Sequence, residues 1–490
     1  MKAPARPSLR SASSSNSRPK GPLGLKRDDE AIWGNLPKTR TNRRRIALPV
    51  VRSPALGDAD VYEGRFGATL YLQAICGERE LLILNRRYPL KRFVYSKASL
   101  QDDQILVSVR PRSNSRPRCG SCRQPGSVYD TRSERRFEFI PILGLQVFFL
   151  YAMRRVNCAS CGVKTEHLEW SSGKERMTTA YKWFLSTWAR RMSWSEVASV
   201  FGTSWNRVYR SVRHAVLWGI VHRETPEFTA IGIDEIAAHR GHRYLTLVYQ
   251  IDAGCRRLLW VGRDRKEQTL EGFFDLFETS VRDHLQFVCS DMWKPYLNVI
   301  ADRAGHALNI LDRYHVMATL NKKVDKVRAE ETRQLKEDGF EPILKHSRWC
   351  LLKRPENRTT KQTVKLRELM KYNLRTMRAY LMKEDFQRFW SYKSGTWAGR
   401  FLDDWCTRAM RSQLEPLKEM AGTLRRHREL LLNWFAAKGE LSSGSVEGMN
   451  TKAKVALRKS YGFRTNKVYE TVLYHELARL PEHDLAHQFC

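Results

Sequence analysis

The chain has 490 residues, and at about 150 residues per domain that allows roughly three domains. Its 86 Lys and Arg against 52 Asp and Glu leave a formal charge of +34, which points to a polyanionic partner, nucleic acid first, because each neutralised phosphate releases a condensed counterion. Small acidic metabolites need no such excess, and the longest apolar stretch, Ile140 to Met153, has 14 residues and contains Gln146, short of the roughly 18 to 20 that span a bilayer.

The N-terminal residues are basic with no apolar run behind them, so a secretory signal is not expected and the protein is read as cytoplasmic. Residues 1–58 hold 13 Lys and Arg and four acids among Ser, Pro and Gly, without a sustained hydrophobic period. Such a segment cannot offset its ordering entropy by burial, so a disordered basic tail is expected, with Arg43, Arg44 and Arg45 as a solvated charge run or a contact to DNA phosphates. Residues 59–175 change to short apolar strings broken by charges and are read as an N-terminal, β-containing, zinc-binding domain.

Ten cysteines are too few for a disulfide scaffold. Four form the pairs Cys119-x2-Cys122 and Cys158-x2-Cys161, with Gly120 and Gly162 at the turns and 35 residues between the pairs. This is the pattern of a zinc ribbon, whose four thiolates close a tetrahedral site that supports folding and presents a DNA-contacting surface, without a catalytic role. The insert Phe137 to Val156 reads as a hairpin that returns the second pair to the first. Two unrelated CxxC pairs are the plainer alternative, and the other six cysteines are read as ordinary thiols.

Residues 176–222 read as a helix-turn-helix DNA-binding domain. Ser193-Trp-Ser-Glu196 fits a capping box, Gly202 breaks the helix after Phe201, and Thr203 is placed to cap the next one. In that second helix Trp205, Val208, Val212 and Val216 form the inward stripe, leaving Asn206, Arg207, Arg210 and Arg213 outward, where base edges and phosphates would be met. A plain helical hairpin in a core carries the same signature.

Residues 223–330 read as three strands, a helix, a strand, a helix and a strand. Asp234 closes the apolar run of the first strand, and Asp291 falls at the tip of the fourth. Glu235 beside Asp234 points to the other face as a surface or supporting residue, and Asp252 ends the second strand with no ligand role. Asp312 and His315 are read as structural hydrogen-bonding groups, with a place near the metals as the alternative. Trp293 is read as a core anchor in preference to a base-stacking ring, as are Trp390 and Trp397 further on.

Residues 331–425 read as a helical insertion with breaks at Pro355 and Pro416, and residues 426–490 as the completion of the core. There Ser442 or Ser443 starts a helix whose one face carries Glu447, Asn450, Thr451, Lys454 and Arg458, and whose other face carries Val446, Met449, Ala453, Ala456 and Leu457. His475, His483 and His487 share no ligand spacing and are read as surface histidines. Three acids on separate elements can supply the oxygens that two magnesium ions need while leaving positions for water and phosphate. Their places are those at which a ribonuclease-H-like sheet keeps its metal acids.

The paired knuckles, the helix pair, IGIDE, SDMWKPY, LDRYHV and the block SVEGMNTKAK with RKSYGFR, in this order, resemble the bacterial DDE transposases of the ISL-three insertion-sequence family from about residue 100 onward. The resemblance implies an α/β multidomain chain in which a ribonuclease-H-like core is interrupted by an all-α insertion and preceded by the zinc ribbon and helix-turn-helix. It implies catalytic acids Asp234, Asp291 and Glu447 holding two magnesium ions, with manganese able to substitute, and structural zinc on the four cysteines. Lys454 and Arg458 would hold the scissile strand. The intervals are 56 residues between the aspartates and 155 from Asp291 to Glu447, the second long enough for a helical insertion. Implied partners are double-stranded DNA, as terminal inverted repeats and target, and further copies of the chain in a homodimer or larger assembly at the nucleoid, with no membrane. A catalytically silent DNA-binding regulator is the alternative, and a nuclease for RNA–DNA hybrids fits the zinc and helix pair poorly.

Overall fold

A computed structural model describes residues 78–489 apart from 173, 225–226, 240–242, 278–281, 438–443, 460–462 and 464. The expected tail 1–58, Cys76, Ser442, Ser443 and Cys490 lie outside the described residues. Among those described, no helix is long and apolar enough to cross a membrane.

The first described helix, α1 (Glu78–Arg87), leads into a sheet built from β1 (Phe93–Gln101), β2 (Gln104–Pro111), β3 (Ser127–Ile142), β4 (Leu145–Cys158) and β5 (Gly162–Thr165). Its order is β1-β2-β4-β3, with β5 on β4. The expected hairpin is β3–β4, closed by pairing Ile142 with Leu145 across Leu143 and Gly144, both at positive φ. A two-residue loop of that kind matches the right-handed twist of the strands it joins. Alternation along β4 buries Val147, Phe149, Tyr151 and Met153.

Three helices follow: α2 (Thr179–Arg191), α3 (Trp194–Val200) and α4 (Trp205–Val221). The capping box at Ser193 and Glu196 is present, and Gly202 ends the turn at φ +60°. The cap of α4 is Ser204, not Thr203: the Ser204 side chain accepts from the Arg207 N–H, while Thr203 lies one residue before the cap. Val208, Val212 and Val216 form the buried stripe, with Trp205 half-buried at its start. Gln146 of β4 donates to the Gly202 carbonyl at 2.8 Å, joining the first sheet to the turn between α3 and α4.

The second sheet comprises β6 (Ala230–His239), β7 (Arg243–Asp252), β8 (Cys255–Gly262), β9 (Phe287–Ser290) and β10 (Leu308–Leu311), with α5 (Glu267–Phe274) before β9 and α6 (Lys294–Arg303) before β10. These elements occur in the order predicted. The strand order is β10-β9-β6-β7-β8, antiparallel through β6, β7 and β8 and parallel through β6, β9 and β10. Ile231 and Ile233 pack with Phe273, Phe274, Tyr296 and Ile300 of α5 and α6. Strand alternation turns Gly232 and Asp234 to the opposite face.

From β10 the chain enters α7 (Arg313–Glu337), α8 (Arg348–Leu352), α9 (Thr360–Leu369), α10 (Arg375–Phe386), α11 (Gly395–Arg411), α12 (Glu415–Arg426) and α13 (Arg428–Ala436). Their core includes Phe386, Phe389, Leu402, Trp405 and Leu417. Pro355 opens a short 3-10 turn and Pro416 sits in the first turn of α12, where a missing N–H costs nothing. The chain then supplies α14 (Gly444–Arg458), α15 (Asn466–Leu477) and α16 (Leu485–Gln488). Helix α14 lies so near β6 that a Cβ on Gly232 would meet Val446 Cγ2 at 2.3 Å, so glycine here is what admits the helix. The end of α14 reaches the helix triplet: Lys459 Nζ donates to the Arg190 carbonyl at 2.5 Å, and Phe463 packs on Trp194.

Candidate active site and metal centre

Two chemically distinct clusters stand out. The first is the four cysteines, whose ligand atoms all lie within 4.8 Å of one another; among the described residues no other group of three or more His, Cys, Asp or Glu does so. Zn–S bonds of about 2.3 Å put tetrahedral sulfurs roughly 3.8 Å apart, and the Cys122 and Cys158 sulfurs are 3.5 Å apart. The Ser121 N–H points at Cys119 Sγ from 3.4 Å. This donor set fits a tetrahedral ion. The glycines act differently from expectation in one place: the left-handed residue after the first pair is Arg123 (φ +68°), the counterpart of Gly162 (φ +69°). Gly120 instead permits close approach, since a Cβ there would stand 2.5 Å from the Thr165 carbonyl oxygen.

The second cluster is acidic. Asp234 sits within β6, which continues to His239, and Asp291 follows the last residue of β9. Because β6 and β9 are parallel neighbours, both acids approach one end of the sheet. Asp312, at the end of β10, caps α7 by accepting from the Tyr314 N–H at 2.6 Å, and its other oxygen lies 3.0 Å from His315 Nδ1. Burial pushes the Asp234 carboxyl up to about 6, with Asp312 and Asp291 adding to the rise while His315 and the Glu235 N–H oppose it. Burial likewise raises Asp291. His315 is held up at about 9, first by Asp312 and then by Asp234 and Asp291. Several carboxylates share one imidazolium, and their oxygens are of the hard type that a divalent cation takes. Asp312 and His315 thus combine the structural bonds expected of them with a place beside the aspartates.

Helix α14 covers this face. Asn450 is buried, donates from Nδ2 to Asp234 Oδ2, and accepts from the Tyr249 hydroxyl at 2.8 Å. The helix carries Glu447 one turn earlier, exposed, with Thr451, Lys454 and Arg458 also exposed; Val446, Met449, Ala453 and Ala456 are buried. The carboxylates of Asp234, Asp291 and Glu447 do not gather within 4.8 Å of one another. Helical periodicity places Asn450 on the Glu447 face but cannot place it on Asp234, because that contact joins residues 216 positions apart.

Burial and partners place the other singled-out residues. Of its two expected places Glu235 takes the supporting one: its side chain is 13% exposed and pairs with Arg265 at 3.4 Å, on the face opposite Asp234. Asp252 accepts from the Thr229 N–H at 3.1 Å and from Gln250 Nε2 at 2.8 Å, a structural role at the far end of the sheet. Trp293 is 36% exposed and is no core anchor; Arg265 lies over its ring at 4.5 Å and over Tyr244 at 4.7 Å. Trp397 is exposed as well, whereas Trp390 is in the core. His475 is buried, not a surface histidine, because α15 packs it beneath α2; His483 is half-buried on Trp183, and His487 is exposed beside Glu482.

On α4, Asn206, Arg210 and Arg213 are exposed. Arg207 is committed elsewhere, its Nη1 lying 2.6 Å from the buried carboxylate of Glu138 on β3. A guanidinium held this way is a strut between sheet and helix. It departs from the base-reading role that the outward face alone suggested.

The chain is similar to known transposases over most of its length. A profile of the ISL-three DDE family, described as "Transposase", matches residues 231–473, from β6 to α15. The transposase for insertion sequence element IS1001 of Bordetella parapertussis is 29% identical over 355 residues, covering 72% of this chain and 86% of that protein. The transposase for insertion sequence element IS1557 of Mycobacterium tuberculosis is 28% identical over 414 residues, covering 79% of this chain and 92% of that protein.

Proposed function

We propose that this chain, which resembles the ISL-three DDE transposases, binds the terminal inverted repeats of an insertion sequence and catalyses strand cleavage and strand transfer. The observation that carries the reading is Asp234 on the central strand and Asp291 at the tip of its parallel neighbour, with the Glu447 helix laid over the same face. The strand order, three antiparallel strands extended by two parallel ones from the first, supports a ribonuclease-H-like core. The helices over residues 331–425 form its insertion, and α3 and α4 act as the helix-turn-helix.

Asp234, Asp291 and Glu447 would hold the catalytic metal, and zinc would occupy the four cysteines. Magnesium, with manganese able to substitute, supplies the Lewis acidity that in-line phosphodiester displacement requires. Asn450 orients the Asp234 carboxylate and keeps one of its oxygens engaged, leaving the other directed by the Glu235 N–H at 2.7 Å. Glu447, exposed on the face of α14 that also carries Asn450, would complete the coordination, while Lys454 and Arg458 would hold the scissile strand. Two element ends joined to one target call for a dimer or larger assembly on DNA.

The test is cleavage of a labelled duplex taken from the ends flanking the gene, in magnesium and in manganese. Asp234→Asn, Asp291→Asn and Glu447→Gln should each abolish cleavage and joining with terminal DNA binding retained, while Glu235→Gln and Asp252→Asn keep substantial activity. Near wild-type cutting by Glu447→Gln would move the third ligand into the insertion. Binding without cutting by the unaltered chain would instead identify a catalytically silent regulator.

A further inference from the structure

Between α4 and the segment that leads into α2 lies an open cavity of about 710 Å³, lined by Lys174, Arg176, Lys182, Arg207, Arg210 and Arg213, with Glu175 as the acid on its wall. Lys182 is the informative residue. Its side chain is 4% exposed on the cavity wall, and among the described residues its ion pair is with Glu175 at 3.9 Å, longer than a hydrogen bond. Burial lowers the pKa of this amine and Glu175 offsets that only from beyond hydrogen-bond distance, so an anion entering the cavity would restore its charge and complete its pairing. His214 on the same wall adds no charge, since burial and then Lys182 push its pKa down to about 4.

The walls are fixed by one residue of β3. The Glu138 N–H donates to the Arg176 carbonyl at 2.8 Å, its carbonyl accepts from the Thr178 N–H at 2.9 Å, and its carboxylate takes Arg207. Arg207 is thereby spent on rigidity. Lys174, Arg176, Arg210 and Arg213 are exposed at the mouth, and Lys182 lies at depth. The depth of Lys182 behind a rim of arginines suits a phosphodiester, whose anionic oxygens enter a concave pocket, better than the flat acceptor edge of guanine, which exposed arginines alone would meet.

We infer that this cavity is a socket for a DNA backbone phosphate, seated between the first sheet and α4, so that Arg210 and Arg213 clamp the strand and do not read sequence. The inference rests on the proposed DNA binding and specifies how one surface achieves it. It predicts that neutralising the socket weakens every duplex alike, because phosphate contacts carry no sequence information.

The experiment titrates the full chain with a random duplex of about 30 base pairs, long enough to cover a single protein footprint, and with a duplex from the ends flanking the gene, each over a salt series. Lys182→Met keeps the aliphatic stem, and Arg213→Gln alters an exposed position that folding does not depend on. Each variant should bind both duplexes about 3- to 10-fold more weakly, and the slope of log Kd against log salt should shrink by about 0.9 for each phosphate that the variant no longer neutralises. Folded variants that match wild type in affinity and slope overturn the socket, as does a weakening confined to the terminal duplex, which would return these residues to base reading. If inorganic phosphate raises the melting temperature of wild type but not of the variants while duplex affinity is unchanged in all, the site takes free anion and the DNA assignment fails. A wild-type chain that binds neither duplex overturns the socket and the proposed function together; one that binds while the variants equal it overturns the socket alone.

Discussion

Asp234 depends on a neighbour that the chain supplies more than two hundred positions later. Asn450 bonds both to Asp234 and to the buried Tyr249 hydroxyl, so it fixes the rotamer of the acid from behind. Asn450→Ala should leave two buried polar groups without their partner, costing about 1 to 3 kcal/mol of stability, and should lower cleavage in magnesium more than Tyr249→Phe does, because Tyr249 touches Asp234 only through Asn450. Raised manganese should restore part of the activity if the defect is in metal binding. Equal activity of Asn450→Ala and wild type at limiting magnesium would remove the positioning role. The positions of Asp234 and Asp291 on neighbouring strands are readable from sequence because apolar runs lead into both. Their orienting partner is not, since helical periodicity gives the face of α14 but not what lies across from it.

At the level of elements, period and punctuation tell most of what the backbone does. Alternating apolar strings mark the second sheet's strands and the two helices between them in order, and Ser193 with Glu196 announces α3 through a local bond pattern that needs no tertiary context. Readings fail where long-range packing decides the outcome. His475 looks polar and exposed in sequence yet lies buried under α2, and Trp293 looks like core yet stands at the surface with Arg265 on its ring. The cysteine cluster is the feature most legible in sequence, because two CxxC pairs and the intervening β3–β4 hairpin bring its four sulfurs together. Purified protein should carry about one zinc per chain, and Cys158→Ser should release the metal and lower the melting temperature steeply, since a structural site contributes its binding free energy to folding. Elemental analysis beside a thermal melt decides this; a zinc-free chain with unchanged melting and DNA binding would detach the cysteines from the fold.

Over the whole molecule, the C-terminal helices bind the second sheet and the α2–α4 triplet into a single unit, and two histidines, His475 buried and His214 half-buried, make its stability depend on acid. His475 on α15 has its pKa held well below the ordinary range by burial, with Arg190 and Lys459 adding repulsion, and His214 on α4 is pushed down to about 4. Both are neutral in the folded chain near neutral pH, whereas the unfolded chain takes up protons around pH 6.5. Depressed values of this kind give a contribution that is complete above the unfolded pKa and lost as pH falls toward the folded one, so each histidine should steepen the fall in stability below about pH 6.5 by up to about 1.4 kcal/mol per pH unit. Acidification also protonates thiolates and carboxylates, so the comparison that isolates the histidines is between wild type and His475→Gln or His214→Gln in urea unfolding at about pH 7.5, 6 and 5, on either side of the unfolded value. Each variant should show a shallower dependence on pH than wild type, even where its stability at the highest pH is lower. Identical slopes in all three proteins would mean that the junction opens before the rest of the fold and does not hold the two sheets in one cooperative unit.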